Sequence, residues 1–344
     1  MTIKLSICIA TYKRAAFIGE TLNSILGQME PGVEIVVVDG ASPDNTPEIM
    51  TEYSQRYDSV RYFREEVNSG VDADFDKAVG YAQGKYCWLM TDDDLLKTGA
   101  IARVLAELGG GEEDLVVVNA EVRNVDLSKV VEERRLKFDT DHTYRAGDRE
   151  RMFIDTAGYL SFIGCVVIRR SCWLERDRSS YYGTLFIHVG VIFQNPALAN
   201  VKAIATPLIT IRYGNAMWTP RSYEIWMFKW PELVWSFPDF SDAAKRKVYL
   251  KEPWCSAKAL FKNRALGAYT SAEFHQFWPA DVGGLKRTMA YFLSIFPASL
   301  ANVVMVIYFT LIGPNPLTVQ DLLSSRNSNC LSRFVARLCG VIGA

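Results

Sequence analysis

The fold is decided by the stretch Glu34-Ile35-Val36-Val37-Val38-Asp39, an apolar, β-branched run that ends in a carboxylate. Because the run is nearly continuous, it predicts a strand buried on both faces, as in a parallel sheet. A similar run over 3–10 precedes it, and a stretch of helical period over 18–26 joins the two. The chain is therefore predicted to begin with strand, helix and strand.

The same alternation continues further along the chain. Strands are predicted at 60–64, 85–90, 115–119 and 162–168, helices at 75–82 and 188–198, and a surface excursion without clear period at 120–160. We therefore expect an α/β fold with a Rossmann-like, mostly parallel, doubly wound sheet, followed by a mainly helical C-terminal region. Ligands of such sheets bind at the carboxyl ends of the strands.

Composition excludes several classes of protein. The 344 residues are 49% apolar and 22% charged, which excludes disordered and collagen-like chains and allows two domains. The seven cysteines form no Cys-x-x-Cys pair, a pattern that indicates reduced thiols in the cytosol. We also expect no secretory signal, because the first apolar run leads directly into Thr11-Tyr12-Lys13-Arg14.

Charge divides the chain into two parts. Residues 1–215 carry 24 Lys and Arg against 31 Asp and Glu, a net charge of −7, whereas residues 216–344 carry 14 against 8, a net charge of +6. We predict a catalytic domain over 1–215 and a basic, helical region over 216–344 that faces a different partner.

Carboxylates follow two of the predicted strands. Three adjacent carboxylates, Asp92-Asp93-Asp94, repel one another, so a fold retains them where water or a cation neutralises them. They therefore suggest a metal site, and the alternative is an acidic helix N-cap. Asp39 suits the binding of a base N–H or a ribose hydroxyl, and the alternative is a turn at Gly40.

Four blocks in this order and spacing resemble the inverting family 2 glycosyltransferases of the GT-A fold. The blocks lie at 9–14, 36–46, 68–70 and 89–94, and the resemblance covers roughly residues 3–200. A narrower resemblance, to the bacterial O-antigen abequosyltransferase group, also includes Tyr86-Cys87-Trp88, the stretch 162–170 and Lys251-Glu252-Pro253-Trp254. No Gly-rich phosphate loop follows the strands, which disfavours dinucleotide and P-loop sites.

The resemblance implies a nucleotide-diphosphate sugar donor and a Mn²⁺ or Mg²⁺ cofactor. Residues implied for the donor nucleotide are Thr11, Tyr12, Arg14, Asp39, Asp72, Asp74 and Asp92. Residues implied for the metal are Asp93 and the neighbouring Asp94. The chain departs from the family's Asp-x-Asp element in its first position, where Thr91 stands.

A second departure concerns the catalytic base. Many relatives carry an acidic pair in a later helix, but the matching stretch here, 186–190, contains no carboxylate. His188 is therefore the predicted base, because neutral imidazole accepts a proton near pH 7, and the alternative is a packed histidine. Arg212 and Trp218 are candidates for the diphosphate and the acceptor sugar, or parts of a domain-closing loop. Trp226, Trp230 and Trp235 lie near helical spacing, which predicts core residues.

The C-terminal region contains a candidate membrane segment at 289–312. Pro297 splits it into pieces too short to cross a hydrocarbon core of about 30 Å, so we expect a re-entrant or surface-lying helix pair. The alternative is a buried hairpin in a soluble domain. The basic residues expected to face anionic lipid head groups are Lys286, Arg287, Arg326, Arg333 and Arg337.

The resemblance implies a metal-dependent, inverting hexosyl- or deoxyhexosyltransferase of bacterial surface polysaccharide or O-antigen synthesis. The expected acceptor is a glycan on polyprenyl diphosphate, and the expected location is the cytoplasmic face of the inner membrane, in peripheral or monotopic form. No nucleic-acid partner is expected. The rivals are a sugar nucleotidyltransferase and a non-catalytic membrane scaffold with a GT-A-like fold.

Overall fold

The computed structural model describes residues 2–217 and 221–339, which form two compact units. The first unit runs to Arg212 and also includes Asp239–Ala244. The second unit begins at Tyr213, runs to Pro238 and resumes at Lys245.

One mixed sheet forms the first unit. Its strands are β1 Leu5–Thr11, β2 Val33–Asp39, β3 Val60–Arg64, β4 Tyr86–Met90, β5 Leu95–Leu96, β6 Leu115–Arg123, β7 Val130–Glu132, β8 His142–Arg145, β9 Val166–Arg169 and β10 Asn200–Arg212. The strand order is β3-β2-β1-β4-β9-β6-β10-β5, with β7 paired to β6 and β8 to β10. Strands β3, β2, β1 and β4 are parallel, whereas β9 runs antiparallel to both of its neighbours.

Burial explains the hydrophobic runs of the two central strands. Every residue of β1 and β2 is buried, as the continuous apolar runs predicted. The α/β class is confirmed. The helices of the first unit are α1 Ile18–Leu26, α2 Thr46–Arg56, α3 Val71–Tyr81, α4 Ala100–Glu107, α5 Arg149–Thr156, α6 Arg170–Leu174 and α7 Ile187–Phe193.

Three expectations for the first unit need correction. The helix predicted at 188–198 ends at Phe193, because Pro196 disfavours helical backbone in the preceding residue. The strand predicted at 162–168 begins at Val166, after a 3₁₀ turn whose Gly164 carbonyl accepts from Trp88 Nε1. The stretch 120–160 is not a surface excursion, since its strand β8 pairs with β10 and Phe153 is fully buried.

Beyond residue 221 the described chain is helical. The helices are α8 Ser222–Glu224, α9 Trp230–Ser236, α10 Asp242–Val248, α11 Ala257–Leu266, α12 Ser271–Phe277, α13 Gly284–Ile295, α14 Ala298–Ile307, α15 Pro316–Ser324 and α16 Cys330–Leu338, with π-helical turns at Ile225–Lys229 and Tyr308–Ile312. Trp230 is buried, as predicted for a core residue, whereas Trp235 is only partly buried.

The predicted break at Pro297 separates α13 from α14. Within 2–217 and 221–339, no single helix is long and apolar enough to cross a membrane. Gly284–Ile295 and Ala298–Ile312 reach that length together but are bent by 98°. The bend occurs where Phe296 leaves helical geometry and Pro297 occupies the N-cap position of the next helix.

Candidate functional site

The candidate site lies at the carboxyl ends of β1, β2 and β4. Thr11 and Asp39 are partners in the parallel register of β1 and β2, and the N–H of Gly40 donates to the Thr11 carbonyl at 3.0 Å. On the other side of β1, Ile9 pairs with Met90, so the acidic loop, residues 91–94, begins beside Thr11. The structure therefore brings Thr11, Asp39 and the acidic loop to one sheet edge.

Asp39 is held rigidly at the bottom of this edge. Its carboxylate is fully buried, with Oδ1 accepting from the Ser42 N–H at 2.8 Å and Oδ2 accepting from the Tyr62 hydroxyl at 2.8 Å. Burial and this hydrogen bond to Asp39 raise the pKa of Tyr62. Sequence reasoning missed Tyr62, because only the pairing of β3 with β2 shows that it faces Asp39.

Of the two acids after Gly70, the structure brings only Asp74 to this edge. A Cβ on Gly40 would lie 2.6 Å from Asp74 Oδ2, so the close approach requires glycine at position 40. Burial raises the pKa of Asp74, although a hydrogen bond from Ser69 acts in the opposite direction.

Asp72 holds the backbone at the start of α7. Its two oxygens accept from the N–H groups of Leu185 and Ile187, at 2.8 and 3.1 Å. Asp72 therefore positions the start of α7, and its place in the nucleotide pocket stays a prediction.

Side chains after β2 hold the backbone after β1. The N–H groups of Lys13, Arg14 and Ala15 donate to Ser42 Oγ, Thr46 Oγ1 and Asp44 Oδ2, at 2.9, 3.0 and 3.2 Å. The block 41–46, which the sequence analysis singled out, thus fixes the loop that carries Tyr12. Tyr12 itself is partly exposed, as a base-stacking ring requires.

Arg14 neutralises part of the acidic loop. Its Nε lies 3.2 Å from Asp92 Oδ1, and its Nη2 lies 3.1 Å from Asp93 Oδ2. Burial and the neighbouring Asp93 raise the pKa of Asp92 to about 7, although Arg14 acts in the opposite direction. We predicted Arg14 at the donor nucleotide, whereas in the structure its guanidinium forms ion pairs with these two carboxylates.

Asp94 and Arg212 form a separate support beneath the acidic loop. Asp94 accepts from the Thr91 hydroxyl and from the Arg212 N–H, the latter at 2.7 Å. Arg212 donates through Nε to the Asp93 carbonyl at 3.0 Å and also pairs with Glu20. These contacts use Arg212 to hold the loop, so its predicted role at the diphosphate does not fit this position.

The carboxylate oxygens of the acidic loop suit a hard divalent cation whose remaining ligands would come from the phosphates of the sugar donor. No group of three or more His, Cys, Asp or Glu that could hold a metal ion occurs in the described parts of the chain. Asp92 and Asp93 nevertheless converge on one cation, the Arg14 guanidinium, and Mg²⁺ is typically bound by one or two carboxylates plus substrate phosphates. The fit is to the pair Asp92 and Asp93 rather than to the predicted pair Asp93 and Asp94.

His188 is placed inside the fold. It is 1% exposed, and its Nε2 lies 2.6 Å from the Leu160 carbonyl, to which the ring N–H donates. Burial lowers the pKa of His188 to about 4, so the imidazole is neutral at pH 7. This placement disfavours direct contact with an acceptor hydroxyl, and the base role stays a prediction. Trp218, the predicted acceptor residue, lies outside the described residues.

Comparison with known proteins assigns the family. Residues 6–175 match the model of Glycosyl transferase family 2. Residues 6–175 are a domain of this family. The abequosyltransferase RfbV of Salmonella typhimurium strain LT2 is 29% identical over 225 residues, which cover 61% of this chain and 67% of RfbV. Two other bacterial glycosyltransferases match over only 38% and 40% of their own lengths.

Solved structures agree with this family 2 glycosyltransferase in fold. Staphylococcus aureus TarS 1-349 in complex with UDP matches 98% of this chain and 88% of its own, with a TM-score of 0.53 at 16% identity. The mannosyltransferase PcManGT from Pyrobaculum calidifontis, in complex with GDP-Man and Mn²⁺, covers 99% and 85%, with a TM-score of 0.51 at 15% identity. The predicted GT-A fold is thereby confirmed.

Proposed function

We propose that this family 2 glycosyltransferase transfers a hexosyl or deoxyhexosyl group, with inversion, from a nucleotide-diphosphate donor to a glycan. The shared sheet edge carries the proposal, because Thr11 lies there between Asp39 and the acidic loop. Asp39 would accept from a ring N–H of the base, with Asp74 beside it. TarS and PcManGT, which share this fold, were solved in complex with UDP and with GDP-Man, and this supports a nucleotide-diphosphate donor.

The proposed cofactor is Mn²⁺ or Mg²⁺, held by Asp92 and Asp93. When bound, the ion supplies Lewis-acid stabilisation of the negative charge on the leaving diphosphate. Arg14 contributes a second, permanent positive charge at the same carboxylates. Inversion follows from one in-line displacement, in which the acceptor oxygen bonds to the anomeric carbon as the bond to the diphosphate breaks.

Thermal-shift titration with nucleoside diphosphates, with and without Mn²⁺, tests this proposal, because a bound nucleotide stabilises the folded chain. Asp93→Ala should lose the Mn²⁺-dependent part of the thermal shift. Asp39→Asn should weaken the binding of every nucleotide whose base is recognised through a ring N–H. The exposed Asp58→Asn is the control. The rate of donor hydrolysis, measured on the same samples, should fall in the variants that lose the thermal shift. Transfer by Asp93→Ala at the parent rate would exclude the metal assignment.

We further propose that the acceptor glycan is carried on polyprenyl diphosphate, as part of bacterial surface polysaccharide or O-antigen synthesis. The match to an abequosyltransferase supports this class of product. Such an acceptor lies in a membrane, so the enzyme is proposed to act at the cytoplasmic face of the inner membrane, in peripheral or monotopic form.

Exposed apolar side chains of the second unit support the membrane contact. On α14 and its π-helical extension, Leu300, Val304, Ile307 and Leu311 are spaced four, three and four residues apart, so they share one helix face. All four are exposed large hydrophobic residues. A buried hairpin, the alternative, would have covered this face.

Helix α16 adds an amphipathic surface that the sequence analysis did not identify. Leu331, Phe334 and Leu338 are exposed on one face, 55%, 57% and 71% accessible, while Ser332 and Ala336 pack inward. Arg333 and Arg337 are also exposed and flank the apolar face. This arrangement is typical of helices that lie in the interface of an anionic membrane.

A further inference from the structure

A cavity of about 450 Å³ opens on the second unit, apart from the sheet edge that holds the donor-site residues. The lining residues that matter here are Phe228, Glu232, Trp235, Lys251, Glu252 and Trp254. Three of them belong to the block Lys251-Glu252-Pro253-Trp254, which the sequence analysis singled out and which the transfer chemistry does not use. The volume is that of a small-molecule site.

The aromatic walls of the cavity are fixed in place. The rings of Phe228 and Trp254 are nearly parallel, at 8°, with centroids 6.4 Å apart, and Trp278 supports Trp254 edge-on at 5.4 Å. Trp235 donates from Nε1 to the Tyr249 carbonyl at 3.2 Å. Trp235 and Trp254 are both only partly buried, so each ring presents surface without having to rearrange.

Charged groups stand at the rim of these walls. Glu232, Lys251 and Glu252 are exposed, and the Lys251 Nζ lies 5.4 Å from the centre of the Trp235 ring. The Lys245 ammonium and the Arg246 guanidinium also lie 5.9 Å from the centre of that ring. The surroundings of Trp235 thus offer carboxylates that accept hydrogen bonds and cations that donate them.

We propose that this cavity binds a sugar residue of the acceptor glycan, an assignment that rests on the proposed transferase function. A sugar ring has one apolar C–H face, which stacks on an indole, and a periphery of hydroxyls, which donate to carboxylates and accept from an ammonium. The charged rim disfavours a lipid chain, because covering Glu232 or Glu252 with hydrocarbon leaves a carboxylate without water.

Retention of the full-length chain on an array of bacterial surface oligosaccharides tests this assignment. The parent should be retained on at least one glycan, and Glu232→Ala and Trp235→Ala should each bind that glycan roughly tenfold more weakly or worse. Trp235→Phe, which keeps a flat ring, should recover part of the loss. Lys247→Ala is the control, since Lys247 is exposed in the same unit but does not line the cavity.

Donor hydrolysis separates failure of this site from failure of the transferase proposal. The residues proposed for the donor lie in the first unit, so the cavity variants should hydrolyse a nucleotide sugar at the parent rate. A parent that hydrolyses donor but is retained on no glycan overturns the cavity assignment alone. Equal retention of parent, Glu232→Ala and Trp235→Ala overturns it as well. A parent that hydrolyses no nucleotide sugar contradicts the transferase proposal instead.

Discussion

Arg14 forms a buried ion pair with Asp92, in which 3.2 Å separates the guanidinium Nε from the carboxylate Oδ1. The same guanidinium reaches Asp93, so one permanent cation serves two adjacent carboxylates. The acidic loop is therefore partly neutralised before any donor or metal arrives. Arg14 thus offsets part of the burial and mutual repulsion that disfavour the ionised carboxylates.

Arg14→Ala should destabilise the fold by about 3–5 kcal/mol at pH 8, as expected when one partner of a buried pair is removed. The loss should be smaller at pH 5, because burial and Asp93 raise the pKa of Asp92 to about 7 and protonation then relieves the repulsion. Mn²⁺ should recover more of the melting temperature in the variant than in the parent. Arg56→Ala, at the exposed end of α2, is the control. Equal melting of parent and Arg14→Ala at pH 8 would refute this account.

His188 should make the fold less stable in acid. Burial lowers its pKa to about 4, whereas an unfolded histidine titrates near 6.5, so the unfolded state binds the proton more tightly. The contribution of His188 to stability is therefore present above pH ~6.5 and is lost as the pH falls towards 4. His188→Gln should remove this dependence, measured as melting temperature against pH, and His142→Ala should not.

The same pKa changes the expected pH profile of catalysis. An imidazole that is neutral from pH 5 to 8 gives a flat rate there, in place of the decline below about 6.5 that an ordinary histidine base would give. Turnover of His188→Ala, measured well below its melting temperature, decides the role. A fall of about two decades or more with intact donor binding supports the base, and parent-like turnover assigns His188 to packing.

Asp321 should oppose folding at neutral pH. Burial raises its pKa to about 6, despite the hydrogen bond from the Tyr213 hydroxyl at 2.7 Å. The folded state thus binds this proton more tightly than the unfolded state, and the resulting stability is complete below pH ~4 and lost as the pH rises through 6. Asp321→Asn keeps an acceptor for Tyr213 and should melt higher than the parent at pH 8 but not at pH 4. Asp281→Asn, at an exposed position, should match the parent at both.

The membrane surface of α16 can be tested with vesicles of phosphatidylglycerol and phosphatidylcholine. The parent should float with these vesicles and be partly released by salt, which screens Arg333 and Arg337. The double variant Phe334→Glu and Leu338→Glu should stay in the soluble fraction, because it places two carboxylates on the apolar face. Leu250→Glu changes an exposed leucine outside α13, α14 and α16 and is the matched control. Equal flotation of the double variant and the control would exclude α16 as a contact.

The sheet and the position of Asp39 could be predicted because they depend on local patterns. Continuous β-branched runs indicate buried parallel strands, and the end of such a strand is where ligands bind. Asp72 and Asp74 were both predicted to line one pocket, although residues two apart on a helix point to different sides. Helical period alone thus indicated that only one of them could face Gly40.

The partners of the acidic loop could not be predicted in this way. Arg14 and Arg212 meet residues 91–94, and Glu20 pairs with Arg212, only because β1, β4 and β10 reach the same region of one sheet. Their sequence spacing contains no period that indicates this. The burial of His188 depends on the Leu160 carbonyl of a 3₁₀ turn, and no helical pattern at 188–198 indicated that contact.

The two hydrogen bonds that Asp72 accepts from the N–H groups of Leu185 and Ile187 determine where this enzyme can be recombined with its relatives. Leu185 has a left-handed φ of 71°, a strained backbone conformation that the hydrogen bonds to Asp72 help to retain. A chimera that takes residues 181–193 from this protein but has no aspartate at position 72 lacks the acceptor of both hydrogen bonds. A junction between two parent sequences at residue 175, where the family match ends, separates Asp72 from the N–H groups that donate to it. Exchangeable modules of this protein must therefore keep α3 and the start of α7 from the same parent.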